Sequence, residues 1–159
     1  MSSVYLNSLI LLCALGSGLV AGIFFAFSTF VMKALGRLAP EQGISAMQAI
    51  NVTVINPWFF GAFFGTAVGS IILAIFAYLN WGTSGAFYLA TGSVLYLFGS
   101  ILVTMLFNVP LNNALAAVKP DSAEGASLWA SYLSTWTVWN HVRAGASLAA
   151  MACFIFAFR

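Results

Sequence analysis

Apolar and polar positions fall into long blocks along this chain. Uncharged, strongly apolar runs occupy residues 4–32, 57–79 and 86–107. Each is long enough for a membrane-crossing helix, which needs roughly 20 apolar residues to cover about 30 Å of hydrocarbon. The first has no basic segment ahead of it and exceeds the apolar stretch of a signal peptide, so it is read as a span. The last purely apolar run, residues 144–158, is too short by itself. A fourth span is therefore expected over residues 136–158, which draws Asn140, His141 and Arg143 into the membrane-embedded end. At 1.5 Å per residue Arg143 would sit about 10 Å inside that end.

The connections carry their own signals. Asn80, Trp81, Gly82, Thr83, Ser84 and Gly85 form a short, breaker-rich turn, so the second and third spans are expected to make an antiparallel hairpin. Pro40 suits a first helical position with Glu41 in the first turn. Ile44, Met47, Ile50 and Val54 follow at helical spacing, predicting a short interfacial amphipathic helix over residues 40–55. Asn56 is placed to cap the second span and Pro57 to open it. Pro110 is expected to end or kink the third span near Asn108. Asp121 and Glu124 resemble a capping box, from which a helical extension over residues 122–135 would run unbroken into the last span. The expected fold is all-α: a single membrane domain, residues 1–159, built as a four-helix bundle.

Composition sharpens this picture. Of 159 residues 62% are hydrophobic and 5% charged, and mean hydropathy is +1.02, whereas ordinary soluble domains carry about 25% charged residues. The bilayer is thus an expected partner. A net charge of +2 offers no basic patch for nucleic acid. One His and two Cys are too few for a zinc site or a non-haem iron triad, so no metal site is expected. Small residues recur at Ala14, Gly18, Gly22 and Ala26, at Gly61, Gly65 and Gly69, and at Gly85, Gly92 and Gly99. Such stripes let helices approach closely in lipid, within one bundle or, alternatively, in a homo-oligomer. Lys33, Arg37 and Lys119, with Arg143 nearby, share the end of the two long connections, and Arg159 lies opposite. The positive-inside rule then places the long connections in the cytoplasm and both termini outside.

Polar side chains crowd that same end: Asn51 and Asn56, Asn108 and Asn112, then Asn140, His141 and Arg143. At about 100° per residue from Trp136, Asn140 falls near +40°, Arg143 near −20°, Ser147 near +20° and His141 near +140°. One face therefore carries Trp129, Tyr132, Trp136 and Trp139, then an amide and a guanidinium, and His141 points elsewhere. No Asp or Glu occurs in the four spans to pair with Arg143. Two readings follow. Arg143 snorkels to headgroups beneath a tryptophan belt, or it forms the base of a ligand pocket with aromatic walls. His141 has the side-chain type of a general base near neutral pH, or it is an interfacial histidine. Asn108 and Asn112 either line a polar site or cap a kink at Pro110.

These residues carry a resemblance. Gly18-Leu19-Val20-Ala21-Gly22-Ile23-Phe24-Phe25-Ala26-Phe27-Ser28, Asn56-Pro57, Phe107-Asn108-Val109-Pro110-Leu111-Asn112, and Trp129, Tyr132, Trp136 and Trp139-Asn140-His141-Val142-Arg143 resemble the anthrone oxygenase-like family of small four-helix membrane proteins. The likeness implies a monooxygenase that converts an anthrone-type aromatic to a quinone with O2 as co-substrate and no dedicated cofactor. It would place the ring between Trp136, Trp139 and Tyr132, with Trp129, Asn56 and Asn112 also binding substrate. Arg143, Asn140 and Asn108 would hold the oxyanion, and His141 would be the base. The competing class is a non-catalytic membrane protein that binds or transports a quinone or lipid. A haem protein would need His141 and a second axial ligand.

Overall fold

The computed structural model describes residues 3–158, so Arg159, taken above as the basic residue of the opposite end, lies outside the described residues. The described chain is all helix, without strands: α1 Ser3–Leu35, α2 Pro40–Thr53, α3 Pro57–Leu79, α4 Ala86–Ala117 and α5 Ala123–Ala157. Helices α1, α3 and α4 are long and apolar enough to cross a membrane. Helix α5 is 35 residues long and carries a charge in its middle.

Local chemistry explains most boundaries. Pro40 opens α2 with Glu41 in its first turn. Asn56 caps α3, its side chain accepting from the N–H groups of Trp58 and Phe59, and Pro57 supplies a first position that needs no donor. Gly85 precedes α4 at φ 95°, a conformation glycine adopts without steric cost. The cap of α5 differs from expectation. Ser122, one residue past Asp121, receives the Gly125 N–H on its hydroxyl.

Pro110, expected to end or kink the third span near Asn108, does not end its helix, which continues past residue 107 to Ala117. The turn immediately before the proline is widened into a π-helix, Thr104–Asn108, and Val109 N–H bonds to Thr104 O. In a regular α-helix the proline ring would collide with the carbonyl four residues back; the wide turn accompanies its accommodation. Further π turns occupy Leu97–Leu102 in α4 and Phe27–Val31 in α1.

Helix α5 packs along α1 and along the first half of α4, and α3 contacts both α1 and α4. Close approaches use the small-residue stripes. A side chain on Gly99 would collide with Ala146, one on Gly92 with Cys153 and Phe154, and one on Gly69 with Cys13. Two apolar clusters result. One, toward the turn at residues 80–85, contains Val20, Phe24, Phe63, Leu73, Tyr96 and Phe154. The other gathers Met32, Ile44, Met47, Leu115, Trp129 and Tyr132 where α2 lies across α5 and the ends of α1 and α4. Polar residues Ser28, Asn108, Asn140 and Arg143 are all buried.

Replacing Gly99 with Leu should push α4 away from α5 and destabilise the protein by about 1–3 kcal/mol through overpacking. A lowered midpoint of thermal unfolding in detergent checks this.

Candidate functional site

Arg143 is 5% exposed in the second half of α5. The helical period puts Trp136, Asn140, Arg143 and Ser147 on one face, and all four are buried. Helical side chains lean toward the N-terminus, so the guanidinium folds back one turn, where Nη2 donates to Asn140 Oδ1 at 2.7 Å. Nη1 donates to Thr104 Oγ1 of α4 at 3.1 Å. The plane lies 4.1 Å from the centroid of Phe24 and 5.1 Å from that of Trp136, two cation–π contacts that offset part of the cost of burying a cation. Nε has no hydrogen-bond partner among the described residues.

Asn140 is spent on holding this cation. Its Nδ2 donates to Phe24 O and to Ser28 Oγ, both at 2.7 Å, which turns Oδ1 toward Arg143. Thr104 behaves similarly: its hydroxyl donates to Ser100 O at 2.8 Å, leaving the oxygen to accept from Arg143. Ser28 and Thr104 both lie in π turns, a distortion found preferentially at functional sites.

A cavity of about 600 Å³ opens beside the guanidinium, between α1, α2, the first half of α3, α4 and α5. That size is ordinary for a small-molecule site. Phe24, Phe27, Phe59, Phe63 and Trp136 make aromatic walls, with Phe59 stacked on Phe63 at 5.4 Å and Phe24 edge-on to Phe63 at 6.3 Å. Among the described residues Arg143 is the only charged side chain of the lining, and neither a carboxylate nor an imidazole joins it. Polar groups include Gln48, Asn51, Thr104 and Asn112. Gln48 is committed to helix closure, its Nε2 donating to Leu115 O and Val118 O at the end of α4.

At the opposite end of the lining from Thr104, Asn112 Oδ1 accepts from Tyr132 OH and from Trp136 Nε1, each at 2.8 Å. Tyr132 sits in the part of α5 ahead of its apolar run, stacked between Trp129 and Trp136. Burial pushes its phenol well above the usual range, so it stays protonated and donates. The stack needs Gly43, where a β-carbon would stand 2.8 Å from Trp129 Cζ2.

The structure sorts the residues singled out in the sequence. Arg143, Trp136 and Asn112 line the cavity. Asn140 lies behind Arg143, and the fully buried Asn108 ties α4 to α5 by donating from Nδ2 to Trp136 O at 3.2 Å. Tyr132 and Trp129 brace Asn112 and do not reach the lining. Of the expected clamp of Trp136, Trp139 and Tyr132, Trp136 alone lies on the lining, where phenylalanines of α1 and α3 join it. Trp139, three residues on, is turned toward α4 and stacks on Phe107 at 3.6 Å. Asn56 is consumed by capping α3. His141 is exposed and outside the lining, as its angular position foretold, so the base role implied for it has no geometry here. The phenylalanine walls were missed because nothing separates a wall phenylalanine from a core one within an apolar run. Thr104 carried a usable signal: it precedes Asn108 by one turn.

These features define an aromatic-walled cavity with one buried cation on its wall, in an apolar helical protein. The anthrone oxygenase family model matches residues 57–153, well over half of the chain, and the protein belongs to that family. The matched region holds Thr104, Asn112, Trp136, Asn140 and Arg143, whereas Phe24 and Ser28 of α1 lie ahead of it. No curated protein and no solved structure matches the chain significantly.

Asn140→Leu removes three buried hydrogen bonds and strands the groups they satisfied. A loss of about 1–3 kcal/mol is expected, read as a lowered thermal midpoint, with a smaller loss for Ser28→Ala.

Proposed function

We propose that this protein is a membrane-embedded oxygenase that takes a flat, anthrone-type aromatic molecule and O2 to the corresponding quinone. Family membership supports the class. The observation that carries the reading is Arg143, a buried guanidinium with no acidic neighbour on the wall of an aromatic cavity. In this reading the part of α5 from Trp136 onward is the fourth span of a four-helix membrane bundle, Tyr132 lies in the extension ahead of it, and the cluster of Lys33, Arg37 and Lys119 sets the cavity end in the cytoplasm.

The reaction asks little of a protein beyond such a site. An anthrone has a methylene flanked by two aromatic rings and para to a ketone across the central ring. Loss of one methylene proton spreads negative charge onto the ketone oxygen. A fixed guanidinium on an apolar, low-dielectric wall stabilises that oxyanion far more than water does, and so lowers the acidity barrier. With no side-chain base on the wall, the proton passes to water and Arg143 shifts the equilibrium toward the anion. The anion reduces O2 by one electron, and the resulting pair combines at the former methylene carbon to form a hydroperoxide. Loss of water then breaks the O–O bond and the remaining C–H bond. One oxygen atom stays as the second carbonyl and the other leaves as water, so the chemistry needs no dedicated cofactor.

Oxygen uptake by the purified protein with an anthrone, corrected for spontaneous autoxidation, tests the reading. Saturable uptake with one O2 consumed per quinone is expected; no uptake above the blank from folded protein rejects it. Arg143→Gln should lower turnover by about 10²–10³, the usual cost of losing an oxyanion donor, with the fold retained by circular dichroism. His141→Ala should leave turnover within about twofold, because its ring faces away from the cavity and a general base would contribute about 10²–10⁴.

A further inference from the structure

Asn112 is held in one orientation by donors alone. An indole N–H has no acceptor capacity, so the group 2.8 Å from Trp136 Nε1 must be the amide oxygen, and the protonated Tyr132 phenol donates to that same oxygen. Reversing the amide would set N–H against N–H. Nδ2 is therefore the end left for the cavity that Asn112 lines, and it makes no hydrogen bond among the described residues. Tyr132 is fully buried and Trp136 5% exposed, so the donor is preorganised by packed rings.

Its placement relative to Arg143 follows from the ring they share. The guanidinium lies 5.1 Å from the Trp136 centroid, and Asn112 grips the Nε1 edge of that indole. One donor group thus lies over the face of this indole and the other at its Nε1 edge, so both adjoin one ring of the lining. Arg143 carries only donors, and the hydroxyl hydrogen of Thr104 is committed to Ser100 O.

From this geometry we infer that Asn112 is a second oxygen-recognising donor: it binds the oxygen para to the one held by Arg143, where the product gains its new carbonyl. The inference rests on the reading of the cavity as the oxygenase site and specifies it. During the reaction Asn112 donates to the oxygen arriving at the former methylene carbon, and afterwards to the second quinone carbonyl. The cavity therefore selects planar tricyclic molecules with an acceptor at both para positions over those with a donor at one of them.

Two air-stable probes of the same outline separate the possibilities: 9,10-anthraquinone, with acceptors at both positions, and acridone, which replaces one carbonyl by an N–H donor. Their affinities are read by quenching of tryptophan fluorescence in detergent, with protein-free micelles as blank. The wild type should bind anthraquinone about tenfold more tightly than acridone, a difference of about 1.4 kcal/mol. Asn112→Asp, which keeps acceptors for Tyr132 and Trp136 but turns a carboxylate oxygen to the cavity, should reverse the order. Asn112→Leu should abolish the preference and serves as the second variant if the carboxylate unfolds the site. The same preference in wild type and both variants overturns the role of Asn112 while leaving the cavity reading intact. Failure of the folded wild type to bind either probe overturns both.

Discussion

A buried cation without a counter-ion is the constraint from which the rest of this structure follows. An arginine placed inside apolar helices costs about 2.5–3.5 kcal/mol at mid-membrane on insertion scales, and the three carboxylate residues, Glu41, Asp121 and Glu124, all lie outside the apolar runs. Arg143 is instead satisfied piecemeal. An amide from its own helix, a hydroxyl from α4 and the faces of two aromatic rings share the charge. Asn140 in turn is pinned by a carbonyl and a hydroxyl of α1. Three helices are thereby tied to one guanidinium, and the π turns of α1 and α4 contribute Ser28 and Thr104 to that arrangement.

Under the proposed function the same arrangement supplies the site. Neutral partners stabilise the cation without cancelling its charge, so its field remains available to an anionic oxygen at the cavity wall. Phenylalanines of α1 and α3 make that wall apolar, and in a low-dielectric setting the interaction strengthens. Helix α2 covers the cavity from the connection side with Met47, Gln48 and Asn51, which is what makes a 600 Å³ space between long helices a pocket. Stability and chemistry draw on one network: residues that pay the desolvation of Arg143 also orient it.

Much of this was legible in the sequence because its signals are local. Apolar run lengths located the long helices, Asn56-Pro57 marked the start of α3, and the angular spacing along α5 put Trp136, Asn140 and Arg143 on one face with His141 turned away. Signals that depend on neighbours were not legible. Pro110 reads as a terminator or a kink until the widened turn before it is seen, and Asp121 reads as a cap that Ser122 supplies instead. Trp139 and Tyr132 lie close in angle to the polar face, yet whether an aromatic ring forms a wall, a brace or an outer stack is decided by the facing helix. Phe107 takes Trp139, and Asn112 takes Tyr132. The wall phenylalanines had no local signature at all.

The central claim is that Arg143 makes this apolar cavity favour an anionic oxygen. The most direct measurement is the ionisation of 2-hydroxyanthraquinone, which changes colour on losing its phenolic proton and is stable in air, bound to the protein and in protein-free micelles. The account predicts a lower apparent pKa on binding to the wild type and no such drop with Arg143→Gln. A pKa raised by binding to the folded wild type, as an apolar cavity without an available cation would produce, contradicts it.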